Sequence, residues 1–230
     1  MGTRTPLTWS VLIPVKELAQ AKSRLSGLGD ADREALALAM AADTVAAAVG
    51  CGPVGAVVVV TGDPAVRAEA GALGAEVLAG QPPAGLNQAL LAGAAYARQR
   101  WPGRGLAALT ADLPALAASE LAAALAAASS ITQSFVADAA GSGTTLYMAG
   151  PGAEFRPRFG PASRQRHRQN GAAELDLPGI RGLRQDVDTM SDLRSAARIG
   201  LGPQSAAVEK ALGERGALRE CVRDECRAAR

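Results

Sequence analysis

Up to about residue 130, short apolar runs alternate with longer segments in which apolar residues recur at helical spacing. The runs WSVLIPV, VGAVVVVT, AEVLA and GLAALTADLP predict strands, since parallel strands covered on both faces read as continuous apolar segments. The intervening segments predict helices, at 30–49, 63–74, 85–100 and 117–128. Because strands and helices alternate, we expect an α/β fold with a mostly parallel central sheet flanked by helices.

The rhythm changes in the second half of the chain. The stretch SFVADAAGSGTTLYMAG predicts two strands joined by a Gly/Ser turn, and ASRQRHRQNG predicts a short polar helix. IRGLRQDVDT reads as a strand that ends in acids, and MSDLRSAARIG as a helix. No linker divides the chain, so we expect a single domain over residues 1–202 and a charged tail over 203–230, helical or disordered.

Composition narrows the function classes. The 230 residues are 48% hydrophobic but only 3% aromatic, so the core must be built from Ala, Val and Leu. A net charge of +2 argues against a nucleic-acid binder, and no apolar run approaches the ~20 residues that span a membrane. The first residues lack the apolar centre of a signal peptide, so we expect a cytoplasmic protein. The three cysteines suggest no disulfide framework and no zinc site.

A basic loop follows the first predicted strand. In PVKELAQAKSRL the cations Lys16, Lys22 and Arg24 stand where a glycine-rich phosphate loop would be usual. Ligands of open parallel sheets bind outside the carboxyl ends of the strands, so these cations could neutralise a triphosphate and the pyrophosphate leaving from it. The alternative is a solvated loop whose charges serve only solubility.

Three acids follow predicted strands. Asp112 comes directly after the strand of GLAALTADLP, where a carboxylate suits Mg²⁺, and Asp186 and Asp188 would share one side of an extended segment. Two carboxylates on one face repel each other unless a cation lies between them. The alternatives are a turn or capping role for Asp112 and a solvent-screened strand end for the pair.

A fourth segment suggests anion binding. Thr144 and Thr145 follow GSG, and Gly160 and Ser163 lie at a predicted helix start, where backbone N–H groups favour carboxylates. His167, the only histidine, reads as a surface residue of that helix. With one histidine and no nucleophile elbow, the residues support no Ser-His-Asp or Cys-His site.

These motifs occur in an order that resembles the CofC/FbiD guanylyltransferases of coenzyme F420 biosynthesis. The resemblance rests on PVKELAQAKSRL, VTGDP, GLNQAL, ADLPAL, SFVADAAGSGTTLYMAGP, PRFGPASRQRH and DVDTMSDL, and covers roughly residues 8–200. It implies a Rossmann-like, GT-A-like nucleotidyltransferase fold. The implied reaction joins GMP from GTP to a phosphorylated three-carbon acid, phosphoenolpyruvate or 2-phospho-L-lactate, with release of pyrophosphate. A downstream transferase of the same pathway is the implied partner.

The resemblance also assigns roles to residues. It implies Mg²⁺ as cofactor, bound by Asp112, Asp186 and Asp188. GTP would meet Lys16, Lys22, Arg24 and Asn87, and the acceptor would meet Thr144 or Thr145, Gly160 and Ser163. The alternatives are a related nucleotidyltransferase with another acceptor, such as 3-phosphoglycerate, and a non-catalytic nucleotide-binding protein.

Overall fold

One seven-stranded sheet organises the protein. A computed structural model describes residues 7–20, 22, 25, 27–79 and 85–216. The strands, in chain order, are β1 Trp9–Pro14, β2 Val54–Thr61, β3 Glu76–Ala79, β4 Gly105–Leu109, β5 Gln133–Ala137, β6 Thr144–Ala149 and β7 Ala173–Glu174. Their order across the sheet is β3-β2-β1-β4-β6-β5-β7. Only β6 runs against its neighbours, β4 and β5, so the sheet is mostly parallel, as the alternating pattern predicted.

Helices cover both faces of this sheet. They are α1 Asp30–Val49, α2 Pro64–Ala72, α3 Leu86–Arg100, α4 Ala118–Ala128, α5 Ser163–Gln169, α6 Arg181–Arg184, α7 Met190–Ile199 and α8 Pro203–Glu214. On β1, Val11 and Ile13 face the core under α1, α2 and α4, whereas Leu12 faces the core under α3. This alternation is the period-2 geometry of a strand buried on both sides.

The helix ends agree with their local chemistry. Asp63 caps α2 by accepting from the backbone N–H groups of Ala65 and Val66, with Pro64 at the first helical position. The same carboxylate accepts from the N–H of Leu18 at 3.0 Å, so the cap of α2 also holds the short 3-10 turn that follows β1. A helix cap therefore fixes the start of the basic loop.

One predicted element is wrong. The stretch 180–189 is not a strand: the structure has the short helix α6 and then irregular backbone up to α7. Glu120 of α4 accepts from the N–H groups of Gly182 and Leu183 at 3.0 and 2.9 Å, which satisfies two of the donors at the start of α6. This contact joins residues more than 60 positions apart, so it left no local signal.

Residues beyond 202 continue the fold as α8. Asp43 on α1 accepts from the N–H groups of Gln204 and Ser205 at 3.1 and 2.7 Å, and Leu212 is buried in a small apolar cluster with residues of α1 and α7. The rest of the predicted tail, 217–230, lies outside the described residues, as do Cys221 and Cys226. Cys51 is buried with a free thiol. Within the described ranges, no helix is long and apolar enough to cross a membrane.

Candidate active site

A cavity of about 290 Å³ opens at the carboxyl ends of β1 and β4, two parallel neighbours at the centre of the sheet. It is lined by residues of the segments that follow the two strands, among them Lys16, Lys22, Thr110 and Asp112, and by Asp188 from the irregular backbone before α7. The edge of the sheet therefore brings the basic loop and two of the three predicted metal ligands to one place, as expected for a ligand site of an open α/β sheet.

Lys22 is bound to both carboxylates at this edge. Its Nζ lies 2.5 Å from Oδ2 of Asp112 and 2.9 Å from Oδ1 of Asp188. Burial would lower the pKa of Lys22, but the charges and hydrogen bonds of the two aspartates outweigh it and raise that pKa above its ordinary value. The Lys22 backbone is left-handed, with φ of 55°, which is uncommon outside glycine and is concentrated at functional sites.

Backbone hydrogen bonds hold Asp112 in place just after β4. Its backbone carbonyl accepts from the N–H of Val187 at 3.1 Å, and the N–H of the next residue, Leu113, donates to Thr44 Oγ1 at 3.1 Å. One carboxylate oxygen binds Lys22, whereas the other, Oδ1, is buried and has no hydrogen-bond partner within the described residues. Such an oxygen costs free energy unless a ligand satisfies it.

The two later acids lie on either side of the fully buried Val187. The N–H groups of Asp188 and Thr189 both donate to Asp192, which forms the capping box of α7. Burial raises the pKa of Asp186 to about 7, and the negative charges of Asp112, Asp138 and Asp188 act in the same direction, while Lys22 opposes them. The acids therefore form one negative cluster although they do not end a strand.

A divalent cation fits part of this cluster. Asp112 and Asp188 already converge on one positive group, and the second carboxylate oxygen of Asp112 is buried without a hydrogen-bond partner among the described residues. Carboxylate oxygens are the ligands that Mg²⁺ prefers. Across the parts of the chain that the structure describes, no three His, Cys, Asp or Glu side chains are arranged as ligands around one point. Three-ligand binding through Asp112, Asp186 and Asp188 therefore stays a prediction.

The other cations of the basic loop differ in what the structure shows. Lys16 is exposed and lines the cavity. Arg24 lies outside the described residues. The resemblance implies separate roles for the basic loop, which would bind GTP, and the aspartates, which would bind Mg²⁺, but in the structure Lys22 contacts two of the aspartates directly. No local pattern signals this contact, because Lys22 is 90 residues from Asp112 and 166 from Asp188.

The predicted acceptor residues surround the hairpin of β5 and β6 and the start of α5. Thr144 and Thr145 open β6, and both are buried. The carbonyl of Thr145 accepts at 2.9 Å from the N–H of Thr110, which lines the cavity, so this strand reaches the site. Gly160 has φ of 114°, which favours glycine, and its carbonyl accepts from the N–H of the buried Ser163.

His167 is not a surface residue, contrary to the sequence-based interpretation. Its side chain is fully buried and stacks on Tyr147, with ring centroids 4.8 Å apart and an interplanar angle of 17°. Burial lowers its pKa to about 4, assisted by the charges of Arg166 and Arg158. The missed signal is spacing: Ser163 and His167 are four apart and share the inner face of α5, while the arginines between and after them suggested a polar helix.

Asn87 binds backbone in this conformation. Its side-chain oxygen accepts from the N–H of Phe159 at 2.9 Å, and its amide nitrogen donates to the carbonyl of the same residue at 3.0 Å. This pair of bonds joins the start of α3 to the segment before α5. The nucleotide contact implied for Asn87 by the resemblance stays a prediction.

With this geometry established, comparison with known proteins decides the family. The family model described as "Guanylyl transferase CofC like" matches residues 9–178, which include β1 to β7 and all the cavity-lining residues named above except Asp188. The chain belongs to the CofC-like guanylyltransferases. It is an enzyme of the nucleotidyltransferase class, and the resemblance carried by its ordered motifs is confirmed.

Curated relatives cover most of the chain. A protein of Thermomonospora curvata named phosphoenolpyruvate guanylyltransferase is 55% identical over 202 residues, which are 88% of this chain and 89% of the relative. A Streptomyces coelicolor protein of the same name is 53% identical over 203 residues, 88% of this chain and 96% of the relative. The match therefore covers most of this chain and most of each relative.

Solved structures share the fold at low identity. A candidate nucleotide-diphospho-sugar transferase of Desulfovibrio desulfuricans G20 has a TM-score of 0.69 and 15% identity, covering 93% of this chain and 97% of its own. A cytidylyltransferase of Leptospira borgpetersenii has a TM-score of 0.52 and 14% identity, covering 92% and 96%. A Mycobacterium tuberculosis H37Rv protein in complex with manganese has a TM-score of 0.50 and 19% identity, covering 84% and 100%. The nucleotidyltransferase fold expected from the sequence is confirmed.

Proposed function

We propose that this CofC-like guanylyltransferase joins GMP from GTP to phosphoenolpyruvate, forming enolpyruvyl-diphosphoguanosine and pyrophosphate in coenzyme F420 biosynthesis. The observation that carries the proposal is the 55% identity, over 202 residues, to a relative named for this reaction. The Lys22–Asp112–Asp188 constellation at the carboxyl edge of the sheet supports it, since it combines a cation for phosphate with carboxylates for a metal.

The chemistry requires charge neutralisation more than proton transfer. A phosphate oxygen of phosphoenolpyruvate forms a bond to the α-phosphorus of GTP, while the bond between that phosphorus and the oxygen bridging to the β-phosphate breaks. Pyrophosphate leaves with the bonding electron pair. The attacking oxygen is already anionic near neutral pH, so no side chain has to act as a general base. The protein's task is to hold two anions in line against their mutual repulsion.

The chain's own groups divide this task. Asp112 and Asp188, joined by Asp186, would hold Mg²⁺, which supplies positive charge shared by both substrates when it is bound. The manganese complex of the M. tuberculosis fold neighbour supports the use of a divalent ion. Lys22, Lys16 and Arg24 would bind the phosphates of GTP and stabilise the departing pyrophosphate. The acceptor carboxylate would bind at Thr144 or Thr145, Gly160 and Ser163.

The test is pyrophosphate release by the purified full chain with GTP and Mg²⁺ and one acceptor at a time. We expect turnover with phosphoenolpyruvate to exceed that with 2-phospho-L-lactate or 3-phosphoglycerate, and mass spectrometry to identify the mixed diphosphate. There are two matched controls. In one, ATP or CTP replaces GTP, and in the other, the Asp112→Asn variant replaces the wild type. GTP binding without pyrophosphate release in the presence of any acceptor would contradict the proposal and favour a non-catalytic nucleotide-binding protein.

A further inference from the structure

The backbone between β6 and α5 is held by side chains instead of by a helix or a sheet. Residues 154–160, here called the tethered segment, have no regular secondary structure. The N–H of Arg158 donates to Nε2 of His167 at 2.9 Å, and both backbone groups of the next residue, Phe159, bond to Asn87. Two side chains from different helices thus hold adjacent residues of one short segment.

These contacts determine the tautomer of His167. A backbone N–H can only donate, so Nε2 must be the unprotonated nitrogen, and the neutral ring carries its hydrogen on Nδ1. Nδ1 lies 2.9 Å from Oγ1 of Thr144 and therefore donates to it. This second bond, together with the stacked ring of Tyr147, fixes the ring so that Nε2 faces Arg158. Both nitrogens are used inside the protein, which leaves none for acid–base chemistry.

The position of His167 relates it to the acceptor residues. Its ring bonds to Thr144 directly, Gly160 lies two residues beyond the tethered Arg158, and Ser163 is one helical turn before His167 on α5. Every segment assigned above to the acceptor thus meets at one buried ring. Gly160 has no side chain, so its place depends on the bond from the N–H of Ser163 to its carbonyl and on the tethered residues before it.

We propose that His167 is a positioning residue for the acceptor substrate: through Nε2 and the N–H of Arg158 it fixes the tethered segment that carries Gly160. This inference rests on the proposed function, since it takes the acceptor to bind at Gly160 and Ser163. It predicts that breaking the tether weakens acceptor binding and leaves GTP binding unchanged, because the basic loop makes no part of this network within the described residues.

Two substitutions of similar shape test the roles of the two His167 ring nitrogens separately. His167→Gln places a side-chain oxygen near the position of Nε2 and can still accept from Arg158, whereas His167→Asn keeps only a group near Nδ1. We expect His167→Asn to raise the KM for phosphoenolpyruvate about tenfold, the usual effect of losing one buried hydrogen bond, with the KM for GTP within twofold of wild type. His167→Gln should stay within about threefold for both.

The control is Phe135→Leu. Phe135 packs on the His167 ring, with centroids 5.5 Å apart, but makes no bond to the tethered segment. It should lower thermal stability without separating the two KM values. If His167→Asn behaves like this control, His167 only fills the core and the proposal is wrong. Should the His167 variants fail to fold, Tyr147→Phe tests the same segment, because it removes the hydroxyl that accepts from the N–H of Arg156 at 3.3 Å. A raised acceptor KM alone supports the proposal, and unchanged or equally changed KM values overturn it.

The ligand-free protein provides an independent measurement. The chain contains one histidine, so an imidazole ¹H–¹⁵N correlation spectrum of protein without a polyhistidine tag reports His167 alone. We expect the neutral Nδ1–H tautomer at pH 7, and the Nε2–H tautomer would overturn the tether. A wild type that uses no acceptor would overturn both the proposed function and this role. An active wild type with an unchanged acceptor KM in His167→Asn would overturn this role alone.

Discussion

The contact of Lys22 with two aspartates predicts that this lysine competes with the metal. Its ammonium occupies the point on which Asp112 and Asp188 converge, at 2.5 and 2.9 Å. A divalent cation that binds the same oxygens must first displace it. Lys22→Met removes the charge while keeping the length of the side chain, so we expect the variant to bind Mn²⁺ more tightly than wild type in the absence of nucleotide.

The magnitude follows from the strength of the two ion pairs. Unit charges about 4 Å apart attract by ~4 kcal/mol at an effective dielectric constant of 20 and by ~1 kcal/mol in water. The side chain of Lys22 is 11% exposed and that of Asp112 23%, but that of Asp188 is 48% exposed, so water screens the second pair. The cost of burying Lys22 reduces the sum further. We therefore expect a net effect of about 1.4 to 2.8 kcal/mol, or about 10- to 100-fold in the Kd for Mn²⁺.

The assay is titration of Mn²⁺ into nucleotide-free protein, followed by the EPR signal of the free ion. Lys16→Met is the matched control, because Lys16 lines the same cavity but pairs with no carboxylate among the described residues. It should leave the Kd for Mn²⁺ within about twofold of wild type. Asp188→Asn should weaken binding, which identifies the site as the one next to Lys22.

The same substitution should have the opposite effect on catalysis. Lys22→Met removes a cation expected to stabilise the departing pyrophosphate, so kcat/KM for GTP should fall on the order of 100-fold although the metal binds more tightly. Tighter metal binding with slower turnover is a combination that general damage to the site does not produce. A Lys22→Met protein whose Kd for Mn²⁺ equals or exceeds that of wild type would refute the competition.

Three further predictions concern stability and the supports of the site. Because the pKa of His167 is about 4 in the folded protein against about 6.5 when unfolded, the unfolded state binds more protons between these values, and wild-type stability falls as the pH drops from about 6.5 to 4. Urea unfolding of His167→Gln should lack this part of the fall, and parallel curves for the two proteins would disprove it. Glu120→Ala removes the acceptor for the N–H of Gly182, so it should lower the free energy of unfolding by about 1 to 2 kcal/mol and also lower kcat. Glu120→Gln should have smaller effects on both quantities. An unchanged kcat would show that Glu120 does not help to position Asp186 and Asp188. Asp63→Ala should lower the free energy of unfolding, measured by chemical denaturation, by a similar amount. It should also raise the KM for GTP, because the N–H of Leu18 loses its hydrogen-bond acceptor. A change in stability without a change in this KM would show that Asp63 does not position the basic loop for GTP.

The regular elements were predictable because their causes are local. The continuous valine run of β2 and the apolar spacing of α1 depend only on neighbouring residues, and so does the Asp63–Pro64 start of α2. The Gly/Ser turn between β5 and β6 likewise predicted the observed antiparallel hairpin. These local predictions agree with the folded structure because burial on both faces of the sheet stabilises the same residue pattern that the isolated segments prefer.

Two sequence-based predictions, the strand at 180–189 and the surface position of His167, were wrong because contacts between distant residues determine the local structure there. The segment before Asp186 has apolar and polar residues arranged like a strand, yet Glu120 caps it as a helix from α4. His167 is surrounded by arginines in sequence, yet it lies against Tyr147 and Thr144, which come from β6. Neither partner can be found by any pattern within a few residues.

By itself, then, the sequence determined the α/β class, the order of the elements and the residue types available at the carboxyl edge of the sheet, since periodicity and capping act over a few positions. Only the tertiary structure decided which charges meet. Asp112 and Asp188 lie 90 and 166 positions from Lys22. Lys22 and Asp112 meet because the parallel neighbours β1 and β4 end at the same edge, and Asp188 joins them because the N–H of Val187 bonds to the carbonyl of Asp112. The physical reason is that attraction between charges depends on distance through the folded protein, and the path of the chain, set by burial of the sheet, brings them within that distance.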